Sequence, residues 1–525
     1  MNGKNKRAEK RKFLPEVTLK LIPPRYVFAF TLTILKFLLI IGVVLWLIYK
    51  IRYFYFLVLL TQFVCVIKII SSDTNPDYKV PWLLFVLILP VVGFMLYFVF
   101  SKTTLKRKYV KKFKTLKGLD YEHSDQADVL ALKQENLTAY NMANLIKKIS
   151  GANLFTDTTA EYFSSGEEYK NSLILDIKSA EKFIYLEFFI IKKGKFWKEV
   201  YDALKEKAIS GVEVKIVYDD IGCMHALPTR YHKALKRAGI KAVPFSRLKG
   251  EANSDFNNRS HRKIVVIDGK ISYTGGINIG DEYINLTSRL GHWKDVGVKL
   301  VGGATKELTK LFLIDYAINS KLLDNSDTKH YPSIVNASNT KANGYVIPFG
   351  DGPKPLYEYS VGKSVIQAML YSAKKYAYIT TPYLIIDNDT CQTIEDASLR
   401  GVKVKIIVPG VPDKKLVNYL TKSYYDRLMK AGVEIYEYEK GFIHAKSYLI
   451  DGEYALLGTI NLDYRSLEHH FENGVWFYGS PIIRDIEEDF NESLSKSVKV
   501  GEKGKKQSAL KRIICALLKV FSPLF

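Results

Sequence analysis

His261-Arg-Lys-Ile-Val-Val-Ile-Asp-Gly269, continuing to Gly275-Gly-Ile-Asn278, returns as His444-Ala-Lys-Ser-Tyr-Leu-Ile-Asp-Gly452, continuing to Gly458-Thr-Ile-Asn461. The copies align without a gap at an offset of 183, and eight of eighteen positions are identical: His, Lys, Ile, Asp, Gly, Gly, Ile and Asn. The retained positions are mostly polar or glycine, while the apolar ones between them drift. Core packing tolerates exchange among apolar residues of similar size. It would not single out a histidine, a lysine and an asparagine, so the repeat points to chemistry.

The repeat extends upstream. Residues 180–186 match 373–379, residues 211–217 match 401–407, and Ala238-Gly239 matches Ala431-Gly432. The runs 212–218 and 402–408 are short, apolar and β-branched, as buried strands should be. Gly211 and Gly401 stand where helices before those strands would stop. The expected fold class is α/β: two duplicated lobes of mixed sheet flanked by helices, behind an N-terminal transmembrane segment. The lobes are expected over 151–340 and 341–493.

Side chains alternate along a strand, so in His-x-Lys the imidazole and the ammonium share a face. The asparagine would arrive from the next turn, after a backbone made compact by Gly275 or Gly458. Two such sets facing each other would surround one cavity. Lys263, Lys446, Asn278 and Asn461 suit a phosphodiester oxyanion. His261 and His444 suit a covalent nucleophile and a general acid. No metal is expected, since the lysines supply the charge and no ligand cluster stands out in the sequence. His469 and His470 lie near the second motif without a role that the sequence assigns. The four cysteines are scattered and form no CxxC pair, so neither a disulfide framework nor a zinc module is signalled.

The net charge of +23 is unevenly spread. It lies in the leader 1–25, the apolar segment 26–100, the stretch 101–120 and the tail 494–525, while 121–493 sums to zero. A nucleic-acid enzyme would carry a basic working domain, so no nucleic-acid partner is expected. Basic segments flanking apolar ones indicate anionic lipid instead. Three apolar stretches, 26–49, 53–70 and 82–100, follow the basic leader. The first and third are long enough to cross a bilayer, whereas the second is short and contains Gln62 and Lys68. Both basic flanks favour the cytoplasmic side, so two full crossings, one incomplete segment and a cytoplasmic catalytic domain are expected. A basic linker is expected over 101–150. In the tail, Leu510, Ile513, Ile514, Leu517, Leu518 and Phe521 recur at helical spacing among lysines, as in an interfacial amphipathic helix.

These residues resemble the paired HxKxxxxD motifs of the phospholipase D superfamily, and the layout is similar to that of bacterial cardiolipin synthases. The similar strings include Asn75-Pro-Asp77, Tyr218-Asp-Asp-Ile-Gly222, Gly291-His-Trp-Lys-Asp295, Thr381-Pro-Tyr383 and Asn461-Leu-Asp-Tyr-Arg-Ser466. The resemblance implies a phosphatidyltransferase that joins two phosphatidylglycerol molecules into cardiolipin and glycerol, without a cofactor. His261 would form a phosphatidyl-histidine and His444 would act as acid and base. Lys263, Lys446, Asn278 and Asn461 would hold phosphate, and Asp268 and Asp451 would complete the catalytic motifs, by direct chemistry or by a supporting ion pair. Glu472 would orient His444, with Asp295 as the weaker counterpart for His261. Position 276 is Gly where much of the superfamily has Ser, which would remove a hydroxyl contact to phosphate on that side. A lipid hydrolase on the same scaffold and a catalytically silent membrane scaffold are the alternatives. The expected partners are phosphatidylglycerol and other anionic lipids, with the oligomeric state left open.

Overall fold

The computed structural model describes residues 24–101, 107–117, 126–247, 257–287, 289–320, 342–501 and 509–524. Residues 1–23 of the basic leader, and parts of the basic stretches 101–120 and 494–525, lie outside this set. The two lobes contain matching sheets. In the first, the strands run in the order Thr158–Phe163, Gly297–Gly302, Ile271–Gly275, Lys263–Ile267, Phe183–Phe188, Glu213–Asp219, Lys241–Phe245. In the second, the order is Tyr345–Asp351, Glu472–Tyr478, Tyr454–Gly458, Ser447–Ile450, Tyr376–Thr380, Lys403–Pro409, Glu434–Tyr438, with Ser497–Lys499 added at the edge. In both sheets three consecutive strands run parallel and the other pairings are antiparallel, including that of the added edge strand Ser497–Lys499. Phe183–Phe188 runs parallel to Glu213–Asp219 and antiparallel to Lys263–Ile267. Tyr376–Thr380 has the same relation to Lys403–Pro409 and Ser447–Ile450.

The strands after Gly211 and Gly401 are buried nearly throughout, which explains their uninterrupted apolar sequence. Both glycines have a positive φ and end the helices that precede these strands. The lobes meet through reciprocal strand contacts next to each motif. Gly441–Ile443 pairs in parallel with His292–Lys294, and Ser260 forms a parallel bridge with Phe471. The described parts of 101–150 pack on the lobes. Helix Leu137–Ser150 packs on Val361–Ser372 and on strand Tyr345–Asp351, and Phe113 of helix Arg107–Lys117 is buried against Tyr357.

The apolar N-terminal region forms four helices: α1 Pro24–Lys50, α2 Phe54–Ile70, α3 Pro76–Ile88 and α4 Pro90–Phe100. Within α1, Phe30–Lys50 is long and apolar enough to cross a membrane, and none of its most apolar window is buried. The third apolar stretch, expected to cross, instead breaks at Leu89-Pro90. Pro90 has no N–H to give to the Val86 carbonyl, and its ring obstructs the preceding turn. The chain folds back on itself there, bringing the Trp82 and Tyr97 rings to 5.7 Å. A Cβ on Gly93 would lie 2.6 Å from the Val86 Cα, so only glycine lets α3 and α4 close. Gln62 of α2 donates its amide to the carbonyls of Val86 at 3.0 Å and Leu87 at 3.4 Å. Thus the polar residue that marked α2 as irregular repairs the break in its neighbour.

The tail helix Ala509–Val520 both packs and presents an apolar face. Cys515 is buried near the Tyr419 carbonyl, and the Lys519 ammonium lies 4.4 Å from the Tyr424 ring centroid. Ile513, Ile514 and Leu517 remain exposed. Phe521 reaches the Phe85 ring of α3 at 5.6 Å. The side chain of Leu510 lies outside the described residues.

Candidate active site

Each motif histidine sits one residue past a strand contact between the lobes, Ser260 with Phe471 and Ile443 with Lys294. The His261 N–H donates to the Phe471 carbonyl at 2.8 Å, and the His444 N–H to the Lys294 carbonyl at 2.7 Å. Each is therefore seated by the other lobe. The side chains repeat the crossing. His261 Nδ1 lies 2.9 and 3.0 Å from the Glu472 carboxylate oxygens, and His444 Nδ1 lies 2.6 Å from Asp295 Oδ2. This reverses the expected pairing, in which Glu472 served His444 and Asp295 served His261. Sequence proximity favoured partners within a lobe, whereas the parallel contact at Ser260 and Phe471 carries Glu472 to the opposite histidine.

Lys263 donates to the His261 carbonyl at 2.7 Å, and Lys446 donates to the His444 carbonyl. Both lysines are buried. Burial, with the charge of Lys446, lowers Lys263 to about 7. Burial lowers Lys446 to about 8 against the pull of Asp295 and Glu472. Burial also lowers His261 to about 3 and His444 to about 4, so both imidazoles are neutral near pH 7. Burial would raise Glu472, but its pairing with His261 prevails and holds it ionised. With Nδ1–H directed at a carboxylate, each imidazole keeps the Nε2 lone pair free for a reacting atom.

Asn278 accepts from the Ile190 N–H at 3.0 Å and donates to the Tyr283 hydroxyl at 2.7 Å. Asn461 donates to Asp463 at 2.9 Å, and its Oδ1 has no hydrogen-bond partner among the described residues. Each amide keeps a second N–H hydrogen for a ligand. Asp268 and Asp451, expected as catalytic, stand elsewhere. Asp268 accepts the N–H groups of Glu181, Lys182 and Phe183, and Asp451 those of Lys374, Lys375 and Tyr376. They occupy the far ends of the motif strands, roughly 16 Å from the lysines at 3.3 Å per residue. Their positive φ values of 53° and 54° mark tight turns there. The motif aspartates tie the repeat together and do not face the site.

Gly276 also has a different cause from the one expected. A Cβ there would fall 2.0 Å from Asp295 Oδ1, so the carboxylate that holds His444 fills the side chain's place. In the second copy, the Thr459 hydroxyl donates to Glu472 and does not turn toward a ligand. The sequence reading missed the support upstream. Arg259 binds Asp219 through Nε and Nη2, both at 2.9 Å, and Asp219 also accepts the Ser260 N–H. An arginine two residues before the motif histidine was the available signal. The reading also missed the aromatic walls: Phe189 lies 5.2 Å from His261, and Tyr283 and Trp293 each lie 5.6 Å from His444.

Comparison with known proteins identifies the family. The family model described as cardiolipin synthase, PLD-like domain, matches residues 173–289 and 366–494. A phospholipase D-nuclease N-terminal model matches 61–102. A cardiolipin synthase of Clostridium perfringens (strain SM101 / Type A) is 33% identical over 461 residues, spanning 86% of this chain and 94% of its own. One from Halalkalibacterium halodurans is 31% identical over 470 residues, spanning 87% and 91%. The crystal structure of phosphatidylserine synthase from Haemophilus influenzae Rd KW20 shares the fold. Its TM-score is 0.55 at 17% identity, over 74% of this chain and 98% of that one. With its duplicated lobes, crossed histidine–carboxylate pairs and these relatives, the chain belongs to the PLD-like cardiolipin synthase family, whose members are phosphatidyltransferases.

Proposed function

We propose that the protein transfers a phosphatidyl group from one phosphatidylglycerol to a second, giving cardiolipin and glycerol. The observation that carries this reading is the pair of crossed histidine–carboxylate contacts around two buried lysines. His261 Nε2 attacks the lipid phosphorus, forming a P–N bond as the P–O bond to glycerol breaks. His444 gives its proton to the departing glycerol oxygen. It then takes a proton from a hydroxyl of the second phosphatidylglycerol, whose oxygen attacks phosphorus and releases His261. Lys263, Lys446 and the two asparagine amides stabilise the charge on the phosphoryl oxygens. His444 must be protonated for the first step, although burial disfavours that in the free enzyme. The anionic phosphate raises it on binding, so the acid forms when substrate is present.

Transfer must outrun hydrolysis by water. Effective molarities of roughly 10⁵–10⁸ M for well-placed groups permit this when the site excludes solvent. The relatives named cardiolipin synthase support the acceptor, as does a neutral catalytic region between apolar helices and an apolar tail face. In the proposed placement, α1 and α2 cross the bilayer and the α3–α4 hairpin enters and returns, with the lobes on the cytoplasmic side. Purified enzyme in phosphatidylglycerol vesicles is expected to release glycerol and cardiolipin in about equal amounts, with little phosphatidic acid. Phosphatidic acid as the main product, at every density of phosphatidylglycerol, would replace this reading with a hydrolase.

A further inference from the structure

One histidine near the site has no task in this mechanism. His470 lies two residues before Glu472, so both flank Phe471, the residue bridged to Ser260 beside His261. Its ring centroid is 5.8 Å from that of His261. Its Nδ1 stands 3.6 Å from Glu472 Oε1, beyond hydrogen-bond length, and neither ring nitrogen has a hydrogen-bond partner among the described residues. A nearly buried imidazole with both nitrogens unengaged sacrifices hydrogen bonds that water would supply.

From these contacts we infer that His261, His470 and Glu472 form a binding site for a zinc-class divalent cation, and that occupancy switches the enzyme off. One ligand atom from each residue lies within 4.8 Å of the other two. A tetrahedral zinc ion with bonds of about 2.0–2.2 Å sets its ligands roughly 3.3–3.5 Å apart. Measured to the same oxygen, Glu472 Oε1, the distances of 3.0 Å from His261 Nδ1 and 3.6 Å from His470 Nδ1 bracket that edge. The set is two imidazoles and one carboxylate, with a fourth position left for water. Such a set selects zinc-class ions over magnesium or calcium, which prefer oxygen alone.

Inhibition follows from the tautomer. In the free enzyme the His261 proton sits on Nδ1, facing Glu472, and the lone pair is on Nε2. An ion on Nδ1 takes the lone pair there, and the proton moves to Nε2, which can no longer attack phosphorus. The imidazole keeps one proton throughout. The ion also occupies Glu472, removing the partner that orients the ring.

Full-length, untagged protein in detergent, stripped by a chelator, would be titrated with cobalt(II) as a spectroscopic stand-in for zinc. We expect the visible absorption of a tetrahedral cobalt site, one ion per chain, displaced by zinc. His470→Ala and the size-conserving His470→Gln should both lose it while retaining the wild-type melting temperature. In phosphatidylglycerol vesicles, zinc should inhibit and chelation should restore activity. Magnesium at the same concentration should do neither, and His470→Gln should need at least about tenfold more zinc, or about 1.4 kcal/mol of lost affinity. The inhibition arm rests on the transfer reading, whereas the cobalt arm does not, so the two can fail separately. No tetrahedral spectrum in the wild type, or the same spectrum in both His470 variants, would overturn the site. Equal zinc sensitivity of wild type and variant would overturn its role in inhibition.

Discussion

Gly276 and Thr459 occupy the same place in the two copies, yet they serve carboxylates of different length. Asp295 reaches His444 only because nothing stands at position 276. Gly276→Ala should displace the carboxylate and lower kcat by about 10²-fold, the cost of ångström-scale misplacement, with little change in lipid binding. Steady-state kinetics on vesicles separates the two effects. Replacing His261 or His444 by Ala should abolish product while leaving folding intact, as circular dichroism and product analysis together would show. A wild-type rate in His444→Ala would end the paired-site mechanism. The lysines carry a pH signature. As amines lowered to about 7 and 8, they are charged below that range and lose charge as pH rises through it. The kcat/KM for phosphatidylglycerol should therefore fall above an apparent pKa of about 7–8 that belongs to the pair. A profile flat to pH 9.5 would show that the lysines are not desolvated as described. The repeat made the histidines, lysines and asparagines legible, because chemistry preserved them at one spacing. Their partners were not legible. Glu472 is 211 residues from His261 and Asp295 is 149 from His444, and sequence distance does not reveal which lobe closes on which.

At the scale of elements, the motif aspartates behave as clamps. Each carboxylate receives three backbone N–H groups at the start of the strand beside its motif strand. Hydrogen bonds to a charged group contribute about 1.5–3 kcal/mol each, so Asp451→Ala should lower stability by several kcal/mol. The kcat of the molecules that remain folded should not change. Denaturant unfolding alongside active-site titration would test this, and a lost kcat at full stability would return Asp451 to the chemistry. The hairpin admits a parallel test. Gln62→Leu leaves the Val86 and Leu87 carbonyls without their amide donor, in the proposed placement out of reach of bulk water. A cysteine pair at positions 82 and 97 should then cross-link more slowly than in the parent, and equal rates would mean that the turn holds without Gln62. Hydropathy had marked 82–100 as one long apolar run. It measures greasiness and does not register that Pro90 removes a donor, that Gly93 permits a close return, or that Gln62 stands ready nearby.

Across the whole molecule, membrane and catalytic parts are joined at several points. Asn75 donates to Asp387 at 2.9 Å, Asp77 accepts from the Asn388 N–H at 3.0 Å and the Tyr464 hydroxyl at 2.8 Å, and Tyr78 packs against Tyr464 and His469. Tyr464 begins a short helix capped by Asp463, the residue that also holds Asn461. The α3–α4 hairpin thus bears on Asn461 through Tyr464 and Asp463. In the proposed placement, a cysteine introduced within 107–117 should resist labelling in intact cells and react after permeabilisation. Ready labelling from outside would put the lobes on the other side. The crossed histidine–carboxylate pairs have a consequence in time. His261 leaves the ribosome 211 residues before Glu472, an interval of roughly 10–40 s at ~5–20 residues per second. Throughout that interval His261 has neither its carboxylate partner Glu472 nor the facing His444 of the second lobe. In the proposed mechanism a half-made enzyme therefore cannot act on lipid, and its reactivity begins only when translation has passed the second lobe.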